Sequence, residues 1–299
     1  MKKFRRVYVE ITNSCNLNCP FCAPQSRGAH FMSEQLFRQI IPQLSAYTNE
    51  ITFHVLGEPT IHPKINRFLE ICGENKIKVC LTTNGTLIDT VDFDALTANT
   101  SQINFSVHSL IQAGITRKHL PEIILFCEKI LSQKNSPYIN FRFWDLPENR
   151  INEDYRKNVV PVITEIVKNL QPAFDISLLE RINTAQRYKY LKLSDRLYLH
   201  FNNQFRWPTM DIEPFQEKGF CYALKSHFAI LSDGSVTACC LDSSGILSFG
   251  NAGEEKLSDI LSGKQVKFFQ ESFGRKILPL ELCKRCDYIQ RFCGRKENQ

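Results

Sequence analysis

The placement of cysteines constrains this chain more than any other feature. Three of its twelve cysteines fall within the first 22 residues, six run from Cys221 to Cys293, and only Cys72, Cys80 and Cys127 lie between. The basic start, Met1 to Arg6, is followed by Glu10 and Asn13, which interrupt the apolar run that a secretory signal needs. No stretch approaches the roughly 18 apolar residues of a membrane span. The chain therefore reads as cytoplasmic, with no membrane partner, and its thiols read as metal or redox groups rather than disulfides. Cys72, Cys80 and Cys127 sit in apolar stretches and read as small buried hydrophobes.

The first group, Cys15-Asn-Leu-Asn-Cys19-Pro-Phe-Cys22, has Cys-x3-Cys-x2-Cys spacing. Three thiolates on one tight loop can each bind one iron of a 4Fe–4S cube, leaving the fourth iron open. A fully ligated electron-transfer cluster needs a fourth cysteine nearby, and none precedes Cys72. A structural zinc site needs four closed ligands, and His30 would have to supply the last at an unusual spacing. The missing ligand is the informative feature, because an open iron is a binding site.

Val7–Thr12, Ile51–Leu56, Val79–Thr83, Ile103–His108 and Tyr138–Trp144 read as strands. Ser33–Tyr47, Lys64–Asn75 and Pro121–Ser132 read as helices, with Ser33 as an N-cap and Pro121 in a first turn. Such alternation implies βαβ units and a parallel sheet, whose ligands gather at the C-terminal strand ends. Polar clusters stand at those ends: Cys15 to Cys22, Gly57-Glu58-Pro59, Thr83-Asn84-Gly85, Ser106 to Ser109, and Arg142 to Asp145. The expected fold class is α/β, a partial (β/α)6 TIM-like barrel over residues 1–205. A small second domain follows over 206–299. In it His227–Leu231 and Ser235–Cys239 form a hairpin around Asp233-Gly234, and Leu257–Leu261 and Val266–Phe273 form short helices. The net charge of +6 mildly favours an anionic ligand and is too small to argue for nucleic acid. His54 and His108 read as core or pocket-wall histidines within apolar strands.

Taken together, these motifs resemble the radical S-adenosylmethionine (SAM) superfamily. The resemblance implies that Cys15, Cys19 and Cys22 hold the catalytic cluster and that SAM chelates its open iron. An electron, supplied by a donor such as flavodoxin or ferredoxin, then cleaves SAM to a 5′-deoxyadenosyl radical that abstracts hydrogen from the substrate. Phe21 matches the aromatic residue before the third cysteine. Leu56-Gly57-Glu58-Pro59 matches a Gly-Gly-Glu-like motif that binds the SAM amino group, with Leu56 departing from it. Asn84 and Ser106 fall at family places on the third and fourth strands. Arg142 follows the fifth-strand pattern and would bind the SAM carboxylate or an anionic substrate.

Cys221, Cys239, Cys283 and Cys286 resemble the ligands of SPASM and twitch extensions, which hold auxiliary 4Fe–4S clusters. Two complete auxiliary clusters need about eight ligands and six candidates remain, so one cluster is expected. Cys240 points away from Cys239 along its strand, and Cys293 is a possible replacement ligand. A zinc ribbon on the same four thiolates is the alternative.

For the substrate, the expectation is a small molecule such as a modified purine, transformed by a lyase. Family members of similar compact size include enzymes of 7-deazaguanine salvage that act on queuine. Phe141 to Asp145 would stack a flat ring, with Asp145 or Glu148 accepting hydrogen bonds from a guanine-like edge. Two alternatives stand beside this. One is a peptide maturase whose leader is held by a separate protein, since the cluster loop begins at residue 15. The other is a non-catalytic iron–sulfur or zinc protein.

Overall fold

Alternate apolar positions on successive strands build the centre of the molecule. The computed structural model describes residues 4–146, 153–181, 190–203 and 205–292, without the side chains of residues 145, 146, 180 and 181. Cys293, Glu148 and the side chain of Asp145 lie outside the described residues. The chain begins β1 (Arg6–Val9), α1 (Glu34–Leu44), β2 (Glu50–Thr52), α2 (Ile65–Glu74), β3 (Lys78–Thr83), α3 (Phe93–Asn99), β4 (Thr100–Phe105). Next come α4 (Val107–Gln112), α5 (Thr116–Leu131), β5 (Tyr138–Leu146), α6 (Glu153–Asn158), α7 (Val160–Leu170), β6 (Tyr190–Ser194) and β7 (Leu197–Asn203). The remainder holds β8 (His227–Ile230), β9 (Ser235–Thr237), β10 (Ser248–Asn251), α8 (Leu257–Ser262), α9 (Lys264–Gly274) and α10 (Glu281–Lys284).

One sheet runs β10-β9-β8-β1-β2-β3-β4-β5-β7-β6. Every pairing from β8 through β7 is parallel. β1 to β5 with β7 supply the six strands expected of the barrel. The sixth had no distinct sequence signal, because β7 is preceded by β6 in a hairpin that reads as local structure. The hairpin of β8 and β9 extends the same sheet through β1, so residues on both sides of position 205 share one sheet. They also share one apolar core, from Phe4 to Ile289.

The sheet curls. β1 and β5 are four strands apart, about 19 Å in a flat sheet. Tyr8 of β1 nevertheless lies within electrostatic reach of Arg142 of β5. Side-chain alternation separates two faces. Val7, Val9, Ile51, Val79, Leu81, Ile103, Phe105, Phe141 and Phe143 face the helices and are buried. Tyr8, Cys80, Asn104, Asn140 and Arg142 line the inner face, which is polar. Asn104 Nδ2 donates there to Cys80 Sγ at 3.2 Å, and Asn140 Nδ2 donates to Asn104 Oδ1 at 3.1 Å.

The helices follow their apolar stripes. Ser33 Oγ caps α1 by accepting from Leu36 N at 3.1 Å, as expected. Its apolar face, Phe37, Ile40, Ile41 and Leu44, is fully buried, each side chain contributing about 1.5–3 kcal/mol. Phe37 stacks on Phe68 of α2 with ring centroids 4.0 Å apart.

Three expectations need correction. The fourth strand ends at Phe105, and His108 stands in α4, because the chain turns at Ser106 into a helix covering the mouth. His54 lies just past β2, which ends at Thr52. Pro121 is inside α5, which starts at Thr116, so it forgoes a bond to the Arg117 carbonyl instead of opening the helix.

Burial lowers the pKa of His54 to about 3 and those of His108 and His227 to about 4. The unfolded chain binds these protons near pH 6.5 and the folded chain does not, so stability falls as pH drops below about 6.5. The slope approaches about 1.4 kcal/mol per pH unit for His108, the most buried of the three. Denaturant titrations of wild type and His108→Gln between pH 7 and 5 should show a shallower decline in the variant.

Candidate active site

The cysteine loop is closed at its base by Asn13. Its Nδ2 donates to Gly28 O at 2.8 Å, and its Oδ1 accepts from His30 N at 2.7 Å. Thr12 Oγ1 donates to His30 O at 2.8 Å, and Thr12 and Phe31 form an antiparallel bridge. His30 thus serves through its backbone. The loop between these ends holds Cys15 and Cys22 exposed and Cys19 half-buried.

The ends of β2 and β3 fix the loop over the sheet. Gly57 has φ +79°, and a Cβ there would lie 2.3 Å from Thr12 O and 2.8 Å from Ser14 O. Only glycine lets the β2 end approach the loop so closely. The next residue, Glu58, donates its backbone N–H to Ser14 O at 2.8 Å. Its carboxylate is buried. Oε1 accepts from Thr60 N at 3.0 Å, Thr60 Oγ1 at 2.8 Å and Thr83 Oγ1 at 2.7 Å. Oε2 accepts from Asn84 N at 2.6 Å. Burial raises its pKa while these donors oppose the rise. Each carboxylate oxygen has two lone pairs, so Oε1 is fully used and Oε2 keeps one, and Glu58 chiefly joins β2 to β3.

Asn84 reaches the loop directly. Its Nδ2 donates to Asn16 Oδ1 at 2.8 Å and stands 4.0 Å from Cys15 Sγ. Asn16 in turn donates to Thr86 Oγ1 at 2.8 Å. Leu17 N points at Cys15 Sγ at 3.4 Å. Phe21 packs on His108 with centroids 4.8 Å apart. Ser106 occupies the N-cap position of α4 without a side-chain cap bond.

Arg142 and Trp144 complete the mouth on β5. Phe141 and Phe143 do not join them. They stack on Phe105 and Phe201 across the outer face, at 5.7 Å and 5.5 Å, because alternate residues of a strand face opposite ways. The aromatic wall expected from Phe141 to Asp145 is therefore Trp144 with two histidines. His108 stacks parallel to it at 6.3 Å, and His200 meets it edge-on at 6.2 Å.

A further residue was missed by the sequence reading. Glu10, one residue past β1, appeared there only as an interruption, yet it is fully buried. Its Oε1 pairs with Arg27 of the cysteine loop. Oε1 also accepts from Ser232 N and Oγ at 3.2 and 3.0 Å, and Oε2 from Leu56 N at 3.2 Å. Arg27 Nε donates to Ser243 O at 2.8 Å. An acidic residue at the end of a buried strand, followed by a lone arginine in the adjacent loop, was the available signal.

The four C-terminal thiols also lie within mutual reach. Cys239 interacts electrostatically with Cys221, Cys283 and Cys286, and burial raises its pKa. Backbone N–H groups of Tyr222 and Ala223 serve Cys221, and those of Tyr288 and Ile289 serve Cys286. Cys240 instead hydrogen-bonds Tyr8 of the inner barrel face. Among the described residues no three His, Cys, Asp or Glu side chains close around a single ion. A cubane spreads its thiolates over separate irons, so both sets, with their N–H donors at sulfur, fit such a cluster.

Comparison with known proteins agrees with this geometry. Residues 9–139 match the radical SAM superfamily, and residues 221–287 match SPASM, an iron–sulfur cluster-binding domain. The chain is 23% identical, over 95% of its length and 89% of the relative's, to the tungsten-containing aldehyde ferredoxin oxidoreductase cofactor-modifying protein of Pyrococcus furiosus. It is 30% identical to a GTP 3′,8-cyclase of Synechocystis over 36% of this chain and 35% of that protein. Among solved structures, BtrN in complex with AdoMet and 2-DOIA superposes with a TM-score of 0.55 at 16% identity, covering 96% of this chain and 94% of that one. Streptococcus suis SuiB bound to its precursor peptide SuiA superposes at 0.59 with 17% identity, covering 95% of this chain and 71% of that one.

Two substitutions test the scaffold. Gly57→Ala should cost about 1–2 kcal/mol in left-handed backbone alone, before its clash with the loop. Iron bound per chain should fall in this variant while the far-ultraviolet circular dichroism is kept. Glu10→Ala leaves Arg27 unpaired beside a buried cavity and should destabilise the fold by about 3–5 kcal/mol in urea titration.

Proposed function

We propose that this chain, a radical SAM enzyme that joins a radical SAM domain to an SPASM domain, abstracts hydrogen from a small molecule held over its barrel mouth. The domain pair implies 4Fe–4S clusters and SAM. We assign the SAM-binding cluster to Cys15, Cys19 and Cys22, and one auxiliary cluster to Cys221, Cys239, Cys283 and Cys286. When bound, the reduced cluster supplies the electron that cleaves SAM to a 5′-deoxyadenosyl radical. In this reading the first domain spans residues 1–205 and the second 206–299.

The chain's own residues do the positioning. Gly57 allows the β2 end to approach the loop, and Glu58 and Asn84 hold the neighbouring strand end against it. Phe21, Ser106 and the open acceptor position of Glu58 then frame the SAM side. Across the mouth stand Trp144, His108 and Arg142. His108 is neutral near pH 7, since burial lowers its pKa to about 4, so it presents a hydrogen-bonding wall rather than a charge. Its Nδ1 lies 3.1 Å from the Arg142 carbonyl, which fixes the ring beside Trp144.

The observation that carries the small-molecule reading is the Trp144 ring with His108 lying parallel to it, which suits a planar heterocycle. The names of the relatives lend support: one modifies a cofactor and another cyclises GTP. A modified 7-deazaguanine such as queuine, cleaved in a lyase reaction, is one candidate. A cytoplasmic setting with a flavodoxin or ferredoxin donor completes the reading, and no helix among the described residues is long and apolar enough to cross a membrane.

Anaerobic reconstitution should load about eight irons per chain, and Cys15, Cys19 and Cys22 all replaced by Ala should leave about four. Only zinc at the C-terminal thiols would overturn the auxiliary cluster. Deoxyadenosine should form from SAM and reductant faster with a purine-like substrate than with none. Stimulation by peptides alone would replace the small-molecule reading with a peptide maturase.

A further inference from the structure

The positive charge of this chain is unevenly placed. Residues 218–225 and 264–276 carry Lys218, Lys225, Lys264, Lys267, Arg275 and Lys276 against one carboxylate, Glu271. The whole chain has a net charge of +6, and six cations less one carboxylate place most of it in these two short segments. All six cations are exposed, and none of them forms an ion pair among the described residues. Lys284 nearby is paired instead, with Glu217 and Glu281 at 3.0 and 2.9 Å.

The two segments pack side by side. Lys218 and Ile277 form an antiparallel bridge, and Gly219 N donates to Lys276 O at 3.0 Å. Gln270 Nε2 of α9 donates to Leu224 O at 2.7 Å, which ties the helix to the turn carrying Lys225. α9 buries Val266, Phe269 and Phe273 and leaves Lys264, Lys267 and Phe268 outside. Phe268 is 59% exposed, an apolar point within a cationic field.

The same surface adjoins the thiols assigned to the auxiliary cluster. Cys221 stands between Lys218 and Lys225, and Tyr222 beside it is exposed. Backbone N–H groups of Tyr222 and Ala223 serve the Cys221 sulfur. Lys225 Nζ lies 5.5 Å from the Phe220 ring centroid, and Phe220 meets Tyr222 edge-on at 4.9 Å. An electron that reaches Tyr222 is one hydrogen bond from a sulfur. A one-signed patch steers a partner of opposite charge, and brief electron-transfer encounters need only a small contact. The substrate wall of Trp144 and His108 belongs to β5 and α4, so this surface is separate from the mouth. Its distinctive neighbour is a cluster ligand, which favours a redox protein over a nucleic acid.

We propose that the surface of Lys218, Lys225, Lys267 and Arg275 around Tyr222 docks an acidic one-electron carrier protein that reduces the auxiliary cluster. The carrier's reduced cofactor loses one electron and the oxidised cluster gains it, and no bond of this chain forms or breaks. The inference rests on the assignment of an iron–sulfur cluster to Cys221, Cys239, Cys283 and Cys286.

The test uses reconstituted holoenzyme with two acidic carriers, a flavodoxin and a 2Fe–2S ferredoxin. Calorimetric titration should show binding of at least one carrier that weakens steeply with added salt. Lys225→Glu with Lys267→Glu should weaken it about tenfold or more, and Lys225→Gln with Lys267→Gln should fall between. Lys118→Glu with Lys134→Glu, the same charge change on exposed residues at the start of α5 and beyond its end, should keep wild-type affinity. Rapid mixing with the reduced carrier should show slower electron transfer in the Lys225 and Lys267 variants, with unchanged reduction by dithionite. The enzyme with Cys15, Cys19 and Cys22 replaced by Ala should still take about one electron per chain from the carrier. Three results overturn the inference: no binding of either carrier, an equal loss in the α5 control, or no electron accepted by the triple-cysteine variant. Tight binding of RNA with no affinity for a carrier overturns it as well and makes the surface a nucleic-acid site. Iron analysis reports the auxiliary cluster independently, so a loaded cluster that no carrier reduces sinks this inference alone. A carrier that reduces it in an enzyme that never cleaves SAM sinks the proposed function alone.

Discussion

The buried Glu10 carboxylate is the interaction on which the rest of the site depends. It sits where β1 ends, and it binds the cysteine loop through Arg27, the β2 end through Leu56 N, and the β8–β9 turn through Ser232. A carboxylate with no solvent contact is tolerable only when a cation and several donors meet it. That requirement makes the cysteine loop, the barrel and the C-terminal hairpin mutually dependent. Arg27 extends the tie to Ser243, beside Asp242, which accepts from Ile246 N and Leu247 N to shape the next loop.

The same logic organises the mouth. Glu58 stitches β2 to β3, Asn84 stitches β3 to the loop, and Phe21 with His108 stitches the loop to α4. Trp207 Nε1 donates to Phe21 O at 2.9 Å, bringing the C-terminal part of the chain onto the same loop. A loop carrying three thiols is held by these neighbours. Pre-organisation by neutral amides and buried carboxylates holds it without placing free charge beside sulfur. Under the proposed function such a geometry is required, since hydrogen transfer demands close and fixed placement.

Against this scaffold Arg142 is an exception. Its polar neighbours on the inner face are matched with one another, as in the Asn104, Asn140 and Cys80 set, whereas Arg142 Nε and Trp144 Nε1 have no hydrogen-bond partner. Local rules of satisfaction are expected to fail at functional sites, where a ligand supplies the missing partner.

Much of this was legible in the chain alone. The cysteine spacing, the strand and helix alternation, the Ser33 cap and the positions of Gly57, Glu58 and Asn84 beyond their strands follow from local periodicity and residue chemistry. They are short-range properties, so one sequence suffices to read them. Arg142, expected at a strand end, instead lies midway along β5. Tertiary structure alone decided the rest. Which face of β5 carries Trp144 rather than Phe141 depends on the sheet's curl and on the helices outside it. That Glu10 is a hub, that Glu58 is mostly occupied by its own neighbours, and that β8 continues the barrel sheet all depend on residues tens to hundreds of positions apart. Contacts at such separations are set by packing the whole core at once, and no local pattern in the chain encodes them.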